Sequence, residues 1–300
     1  MSSTSVCRGM MFTGSLVAIV TPFRKGKVDE RAFGDLIEWQ IANGTNGIVP
    51  CGTTGESATL THEEHHRVVR LTVEAVRRRV PVIAGSGSNS TDEAISLTRH
   101  AKEAGADGAL LITPYYNKPT QEGLYRHYKA VAEAVDLPQI LYNIPSRTGV
   151  NMLPATVARL AAMKNVVGVK EGSGSVQQAS EIAQTCGERI TVLAGDDALT
   201  LPMMAVGGKG VITVTANVMP RDMAQLVAAF TAGRIDEARE IHFRLSPLFA
   251  ALFYETNPIP VKEALGMMGR IDPELRLPLC SMGNDNRNQL ARVMKEMRLI

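Results

Sequence analysis

Lys170 stands at the end of the apolar run Val166-Val167-Gly168-Val169-Lys170-Glu171. If that run is a strand its side chains alternate, so Val166, Gly168 and Lys170 share one face. Small residues below the lysine leave room for its stem. An amine held there loses its water, and desolvation lowers its pKa because the charged form suffers most. A neutral amine is what Schiff-base formation with a carbonyl requires. Bringing the group from ~10.4 to near 7 takes roughly 4 to 5 kcal/mol of differential destabilisation. The other reading of Lys170 is a strand-end cation paired with a carboxylate.

Further reactive residues end other apolar runs. Ile140-Leu141-Tyr142-Asn143-Ile144-Pro145 sets Tyr142 where it projects near Lys170, if the two runs are neighbours. A phenol beside an amine nucleophile can move the protons of carbinolamine formation and imine loss; a core tyrosine is the plainer alternative. Arg147 follows in the loop, and a guanidinium grips a carboxylate through two parallel hydrogen bonds; a surface ion pair is its common alternative. Gly52-Thr53-Thr54-Gly55-Glu56 offers backbone amides and hydroxyls that suit a carboxylate. Thr113-Pro114-Tyr115-Tyr116-Asn117 brings two phenols, and Ala194-Gly195-Asp196-Asp197 two carboxylates.

The runs that must position these groups recur. They are residues 16–20, 47–51, 80–84, 109–113, 139–143, 166–170, 190–194 and 210–215, eight in all. They are short and apolar throughout, as strands buried on both faces of a parallel sheet are. Between them lie amphipathic segments, with Phe33, Leu36, Ile37 and Ile41 on one helical face. Thr61 with Glu64 makes a capping-box pattern. Gly44 and Gly105 sit where helices should stop, and Pro154 suits a first turn. Eight strand–helix units predict a (β/α)8 TIM barrel with its active site at the C-terminal ends of the strands. An open doubly wound sheet is disfavoured, because no G-x-G-x-x-G opens the first helix. The segments after the eighth run exceed one closing helix. The expected organisation is a barrel over residues 1–222 and a small helical extension over 223–300, packed on it.

Composition narrows the function. With 32 basic and 30 acidic residues the net charge is only +2, which argues against a nucleic-acid surface. The run Arg77-Arg78-Arg79 reads as cations closing a helix. Cys7, Cys51, Cys186 and Cys280 fit no zinc spacing and no disulfide framework. No apolar run approaches the ~20 residues of a membrane helix. A cytoplasmic location is therefore expected. Residues before Met10 read as a loose extension, with Met10 or Met11 as alternative starts.

In this order across nearly the whole chain, five segments resemble the pyruvate-dependent class I aldolase family of dihydrodipicolinate synthase and N-acetylneuraminate lyase. They are Gly52-Thr53-Thr54-Gly55-Glu56-Ser57, Thr113-Pro114-Tyr115-Tyr116-Asn117, residues 142–149 (Tyr142 to Gly149), Gly168-Val169-Lys170-Glu171 and Asn257-Pro258-Ile259-Pro260-Val261-Lys262. The resemblance implies condensation of pyruvate with L-aspartate 4-semialdehyde, without metal or cofactor. It implies Lys170 as the Schiff-base residue, Tyr142 as general acid/base, and Thr53 and Tyr116 as its proton relay. Thr54, Ile212 and Gly195 match substrate-binding positions, and Arg147 the residue that holds the semialdehyde carboxylate. In the family the tyrosine matched by Tyr116 comes from a neighbouring subunit, which implies a homodimer, usually paired into a tetramer. Relatives that act on sialic acid or sugar acids lack the Ser146-Arg147-Thr148-Gly149 form. Gly172-Ser173-Gly174 departs from the usual Ala-Thr-Gly. Members inhibited by L-lysine carry a site matched here by Ser57, Ala58, His62, His65, Asn89, Glu93 and Tyr115; helix-start and loop polarity would also account for these residues.

Two rival readings belong to other classes. His62-Glu63-Glu64-His65-His66 fits H-E-x-x-H, the zinc-protease helix pattern. It occupies a first helical turn with no third ligand nearby. A non-catalytic barrel is the other, and the joint presence of Lys170, Tyr142 and Thr53 argues against it. Another pyruvate aldolase, such as a sialic acid lyase or a keto-deoxy sugar-acid aldolase, is the alternative within the class.

Overall fold

A computed structural model describes residues 11–300. The expected N-terminal extension, Met10 and Cys7 lie outside the described residues.

The chain runs β1 (Gly14–Ala18), a hairpin of β2 (Phe23–Arg24) and β3 (Lys27–Val28), α1 (Glu30–Ala42), β4 (Gly47–Val49), α2 (His62–Val76), β5 (Ile83–Gly85) and α3 (Thr91–Glu103). It continues through β6 (Gly108–Ile112), α4 (Gln121–Ala134), β7 (Gln139–Asn143), α5 (Pro145–Thr148), α6 (Pro154–Leu160), β8 (Val166–Glu171) and α7 (Val176–Cys186). Then come β9 (Thr191–Ala194), α8 (Thr200–Ala205), β10 (Gly210–Thr213), α9 (Pro220–Thr231), α10 (Ile235–Ala251), α11 (Ile259–Met267) and α12 (Asn284–Glu296). Eight strands form one sheet in the order β4-β1-β10-β9-β8-β7-β6-β5. Ile48 of β4 also pairs in parallel with Val82, the residue before β5. The ends of the order therefore meet, as in a (β/α)8 barrel.

Local chemistry sets the element ends. Thr61 and Glu64 form the reciprocal capping box of α2, and the side chains of Ser90, Thr120 and Ser175 cap α3, α4 and α7. Gly44 and Gly105 follow α1 and α3 with φ of +86° and +88°, the left-handed conformation that glycine adopts without strain. Strands β4, β5, β9 and β10 are shorter than the apolar runs suggest. Strand β5 starts at Ile83 rather than Val80; Pro81 lacks an N–H for the ladder. Strand β4 stops at Val49, and the chain turns at Cys51, whose φ is +54°. The β2–β3 hairpin has no counterpart among the expected runs. Its turn residues Lys25 and Gly26 both have positive φ, and the Glu274 carboxylate accepts both their N–H groups at 2.7 and 2.6 Å.

Two compact units emerge: Ser15–Val82 with Thr213–Ile300, and Ile83–Ile212 with the described residues up to Gly14. In the second, β7 and β8 are buried along their whole length. Their register pairs Tyr142 with Lys170 and Asn143 with Glu171. Side chains of paired residues on parallel strands point to the same face, ~4.8 Å apart at the backbone, so this register decides what Lys170 meets.

Candidate active site

Within the Ile83–Ile212 unit, Lys170 is 5% exposed, and its Nζ lies 4.2 Å from the centroid of the Tyr142 ring. Burial brings the amine down to about 8, because an ammonium ion there is denied water; the Asp197 carboxylate opposes the change and the Arg147 guanidinium adds to it. Holding the amine at about 8 takes about 3 kcal/mol, less than an amine poised near 7 would. An appreciable fraction of Lys170 is thus uncharged just above neutral pH, with a phenol beside it. That pair can add an amine to a carbonyl and move the protons of dehydration.

Glu171 alternates to the opposite face and is fully buried. Its carboxylate accepts from the Ser173 N–H at 2.7 Å, from Gln178 Nε2 at 3.0 Å and from Asn143 Nδ2 at 3.2 Å. Asn143 and Gln178 each reach Asn151 as well. The residues that follow Tyr142 and Lys170 in the chain are thereby locked together behind them. Gly195 N donates to the Glu171 carbonyl at 2.7 Å. A Cβ at Gly195 would lie 2.9 Å from that oxygen, so β9 ends against β8 only with glycine there. Ile212 is buried in β10, and Arg147 is exposed on α5. Sequence reading noted Asp197 as a strand-end residue without a role and gave Glu171 none. The signal for Glu171 was its place beside Lys170, since alternation turns one residue in and the next out.

In the same unit, Asn117 Nδ2 donates to the Asn89 carbonyl at 2.9 Å, joining the loops after β6 and β5. Tyr115 and Tyr116 lie beside Asn117; Tyr116 is 88% exposed and has φ of +71°. Glu93, in the first turn of α3, accepts from the Ser88 hydroxyl. Asn89, Glu93, Tyr115 and Tyr116 are therefore gathered in one loop region.

Inside the other unit, Thr53 and Thr54 sit in a tight turn closed by Gly55 N to Gly52 O and Glu56 N to Thr53 O, both 3.1 Å. Thr54 is buried, and its Oγ1 accepts from Asn257 Nδ2 at 2.9 Å. Lys262 Nζ lies 2.6 Å from Glu56 Oε1, with both side chains out of water, and also donates to the Thr21 carbonyl at 2.9 Å. Ser57 and Ala58 form a short 3-10 turn. His62 is exposed at the start of α2, and His65 is buried one turn on. Among the described residues no group of three or more His, Cys, Asp or Glu side chains could hold a metal ion. Glu64 caps α2 and makes a bidentate pair with Arg276. Among the described residues no helix is long and apolar enough to cross a membrane.

The model of the Dihydrodipicolinate synthetase family matches residues 11–297. The 4-hydroxy-tetrahydrodipicolinate synthase of Geotalea daltonii is 64% identical over 290 residues, covering 97% of this chain and 100% of its own. Among solved structures, dihydrodipicolinate synthase from Aquifex aeolicus superposes with a TM-score of 0.95 at 54% identity, over 96% of this chain and 99% of that one. The chloride-inhibited enzyme of Acinetobacter baumannii, complexed with pyruvate, has a TM-score of 0.95 and 47% identity, covering 97% of this chain and 100% of that one. The enzyme of Cyanidioschyzon merolae with lysine bound has a TM-score of 0.93 and 41% identity, over 96% of this chain and 99% of that one. With a parallel barrel, a desolvated strand-end lysine beside a tyrosine, and similarity along nearly its full length, the chain belongs to the dihydrodipicolinate synthetase family.

Proposed function

We propose that the chain is a lyase of lysine biosynthesis, a 4-hydroxy-tetrahydrodipicolinate synthase that joins pyruvate to L-aspartate 4-semialdehyde through a Schiff base on Lys170. The observation that carries this reading is the buried Lys170 amine, held down to about 8 and 4.2 Å from the Tyr142 ring centroid. The neutral amine adds to the keto carbon of pyruvate. Water then leaves, its oxygen being the former ketone oxygen, and an iminium remains. Loss of a methyl proton gives the enamine, whose carbon attacks the aldehyde. The amine of the semialdehyde closes the ring on the former keto carbon and releases Lys170. Tyr142 carries protons in these steps, a role that its ring beside the Lys170 amine supports. Thr53 and Tyr116 extend its relay, Thr54, Ile212 and Gly195 hold pyruvate, and Arg147 takes the semialdehyde carboxylate.

Exposure of Tyr116 on a single chain supports its reaching the site of a second copy, so the working unit is at least a dimer. Inhibition by L-lysine is part of the reading, through Ser57, Ala58, His62, His65, Asn89, Glu93 and Tyr115: Glu93 would meet the α-amine, and His65 and Asn89 would add polar contacts; the shared loop region of Asn89, Glu93 and Tyr115 supports it. The C-terminal helices after residue 222 are proposed as the family's helical extension.

Borohydride reduction in the presence of pyruvate, followed by mass spectrometry, tests the central claim. A pyruvyl adduct on Lys170 is expected. Its absence would leave a non-catalytic barrel standing. Turnover of aspartate semialdehyde rather than sialic acid or a keto-deoxy sugar acid separates this reading from the other pyruvate aldolases. Activity that stays flat as L-lysine rises would remove the effector site and leave the catalytic claim intact.

A further inference from the structure

The turn that carries Thr53 and Thr54 is held by residues far away in sequence. Thr21 Oγ1 donates to the Gly55 carbonyl at 2.7 Å. Glu56 takes Lys262 Nζ on Oε1 at 2.6 Å and the Arg276 N–H on Oε2 at 3.2 Å. Thr54 itself is gripped by Asn257, 203 positions on. Asn257 and Lys262 both belong to the segment that leads into and begins α11, so one stretch of chain fixes the turn at two points.

Direction matters more than attachment at Thr54. A hydroxyl carries one proton and two lone pairs. The Asn257 amide nitrogen has only protons to offer, so Thr54 Oγ1 must accept from it. The proton of Thr54 then points away from Asn257. Being buried, Thr54 has little bulk water to which that proton could turn. We propose that Asn257 is a positioning residue that fixes Thr54 as a hydrogen-bond donor to the carboxylate of the bound 2-keto acid. A carboxylate only accepts, so a hydroxyl free to rotate presents its lone pairs to the anion part of the time, which repels it. Asn257 removes that orientation before substrate arrives, the kind of preorganisation that favours binding. This inference rests on the reading that Thr54 contacts the keto-acid carboxylate, and goes beyond it by assigning the group that sets the hydroxyl's polarity.

A double-mutant cycle on the full-length enzyme tests it, with KM for pyruvate, KM for aspartate semialdehyde, kcat and thermal unfolding measured for each member. Thr54→Val is expected to raise the pyruvate KM about 10-fold, the scale of one hydrogen bond to a charged group. Asn257→Leu should raise it about 5-fold, with kcat within about twofold and the semialdehyde KM unchanged. In the Thr54→Val background Asn257→Leu should add nothing, because no hydroxyl remains to orient. Thr54→Ser should restore the sensitivity to Asn257→Leu. If Asn257→Leu fails to fold, Asn257→Ser, too short to reach Thr54, takes its place in the same cycle. A flat response to Thr54→Val overturns the carboxylate reading and this inference together. A raised KM in Thr54→Val with no effect of Asn257→Leu or Asn257→Ser, or effects that multiply independently, overturns this inference alone. A fall in melting temperature with unaltered pyruvate KM marks Asn257 as structural and does the same.

Discussion

Two buried lysines, one in each compact unit, sit in opposite chemical circumstances. Lys170 ends β8 with its amine over the Tyr142 ring; the charges that act on it are the opposing pair Asp197 and Arg147. Lys262, in α11, is fully buried with its amine on the Glu56 carboxylate at 2.6 Å and on the Thr21 carbonyl at 2.9 Å. Burial pushes both amines down, and at Lys262 the Glu56 charge opposes that push in direct contact. Desolvation alone does not make a lysine reactive. A buried ammonium ion held by a carboxylate and a carbonyl has partners that favour its charge, whereas Lys170, stripped of water, is brought down to about 8. On the proposed reading Lys170 forms a bond with substrate, whereas Lys262 holds a turn.

The contrast can be broken at several points. The largest expected effect is on rate: Lys170→Met should lower turnover on the order of 10,000-fold or more while the protein stays folded, read by steady-state assay and circular dichroism. Appreciable residual turnover would show that another group is the nucleophile. Next comes stability at the other site. Lys262→Met leaves Glu56 buried without its partner and should cost about 3–5 kcal/mol in denaturant unfolding. Adding Glu56→Gln should recover part of that loss, and no recovery would mean the pair matters only through packing. Lys170→Met should have the opposite sign. The folded-state pKa of Lys170, about 8, lies below its ordinary 10.5. Below pH 8 the folded protein therefore bears the full burden of a buried charge. Between about 8 and 10.5 the unfolded chain holds the proton and the folded one does not, so stability rises with pH across that window. Lys170→Met is expected to gain up to about 3 kcal/mol at pH 7 over the wild type, with the gain fading toward pH 10.5. A loss at pH 7 would contradict the desolvation account.

Smaller effects concern the pH–rate profile. Turnover limited by imine formation should climb as pH passes through about 8. Arg147→Ala removes a charge that lowers the amine and should move that limb to higher pH; Asp197→Asn removes one that raises it and should move it to lower pH. Shifts in the same direction would break the assignment of opposing charges. The smallest effect is expected at the exposed pair Arg67–Glu30, where Glu30→Gln should change stability by about 0.5 kcal/mol or less.

Legibility in the sequence followed physical locality. The eight strands were readable because a parallel strand covered on both faces must be apolar throughout, which few other segments are. Helix ends were readable where caps are local, as at Thr61 and Glu64. Strand limits were less so: an apolar run continues past the last ladder bond, as at Cys51, because burial and pairing are separate demands. Lys170 and Tyr142 stood out by alternation and residue type. The β2–β3 hairpin did not, since its turn depends on Glu274, about 250 residues away.

The architecture and the identity of an amine with small neighbours at a strand end are carried by the linear order of residues, because hydrophobic period and residue volume are local properties. Which carboxylate meets which lysine, how Asn257 reaches Thr54, and how Glu171 closes a network behind Lys170 and Tyr142 were settled by folding. Those contacts join residues far apart in the chain. Their energies depend on distances of a few ångströms and on exclusion of water, which no spacing along a sequence records.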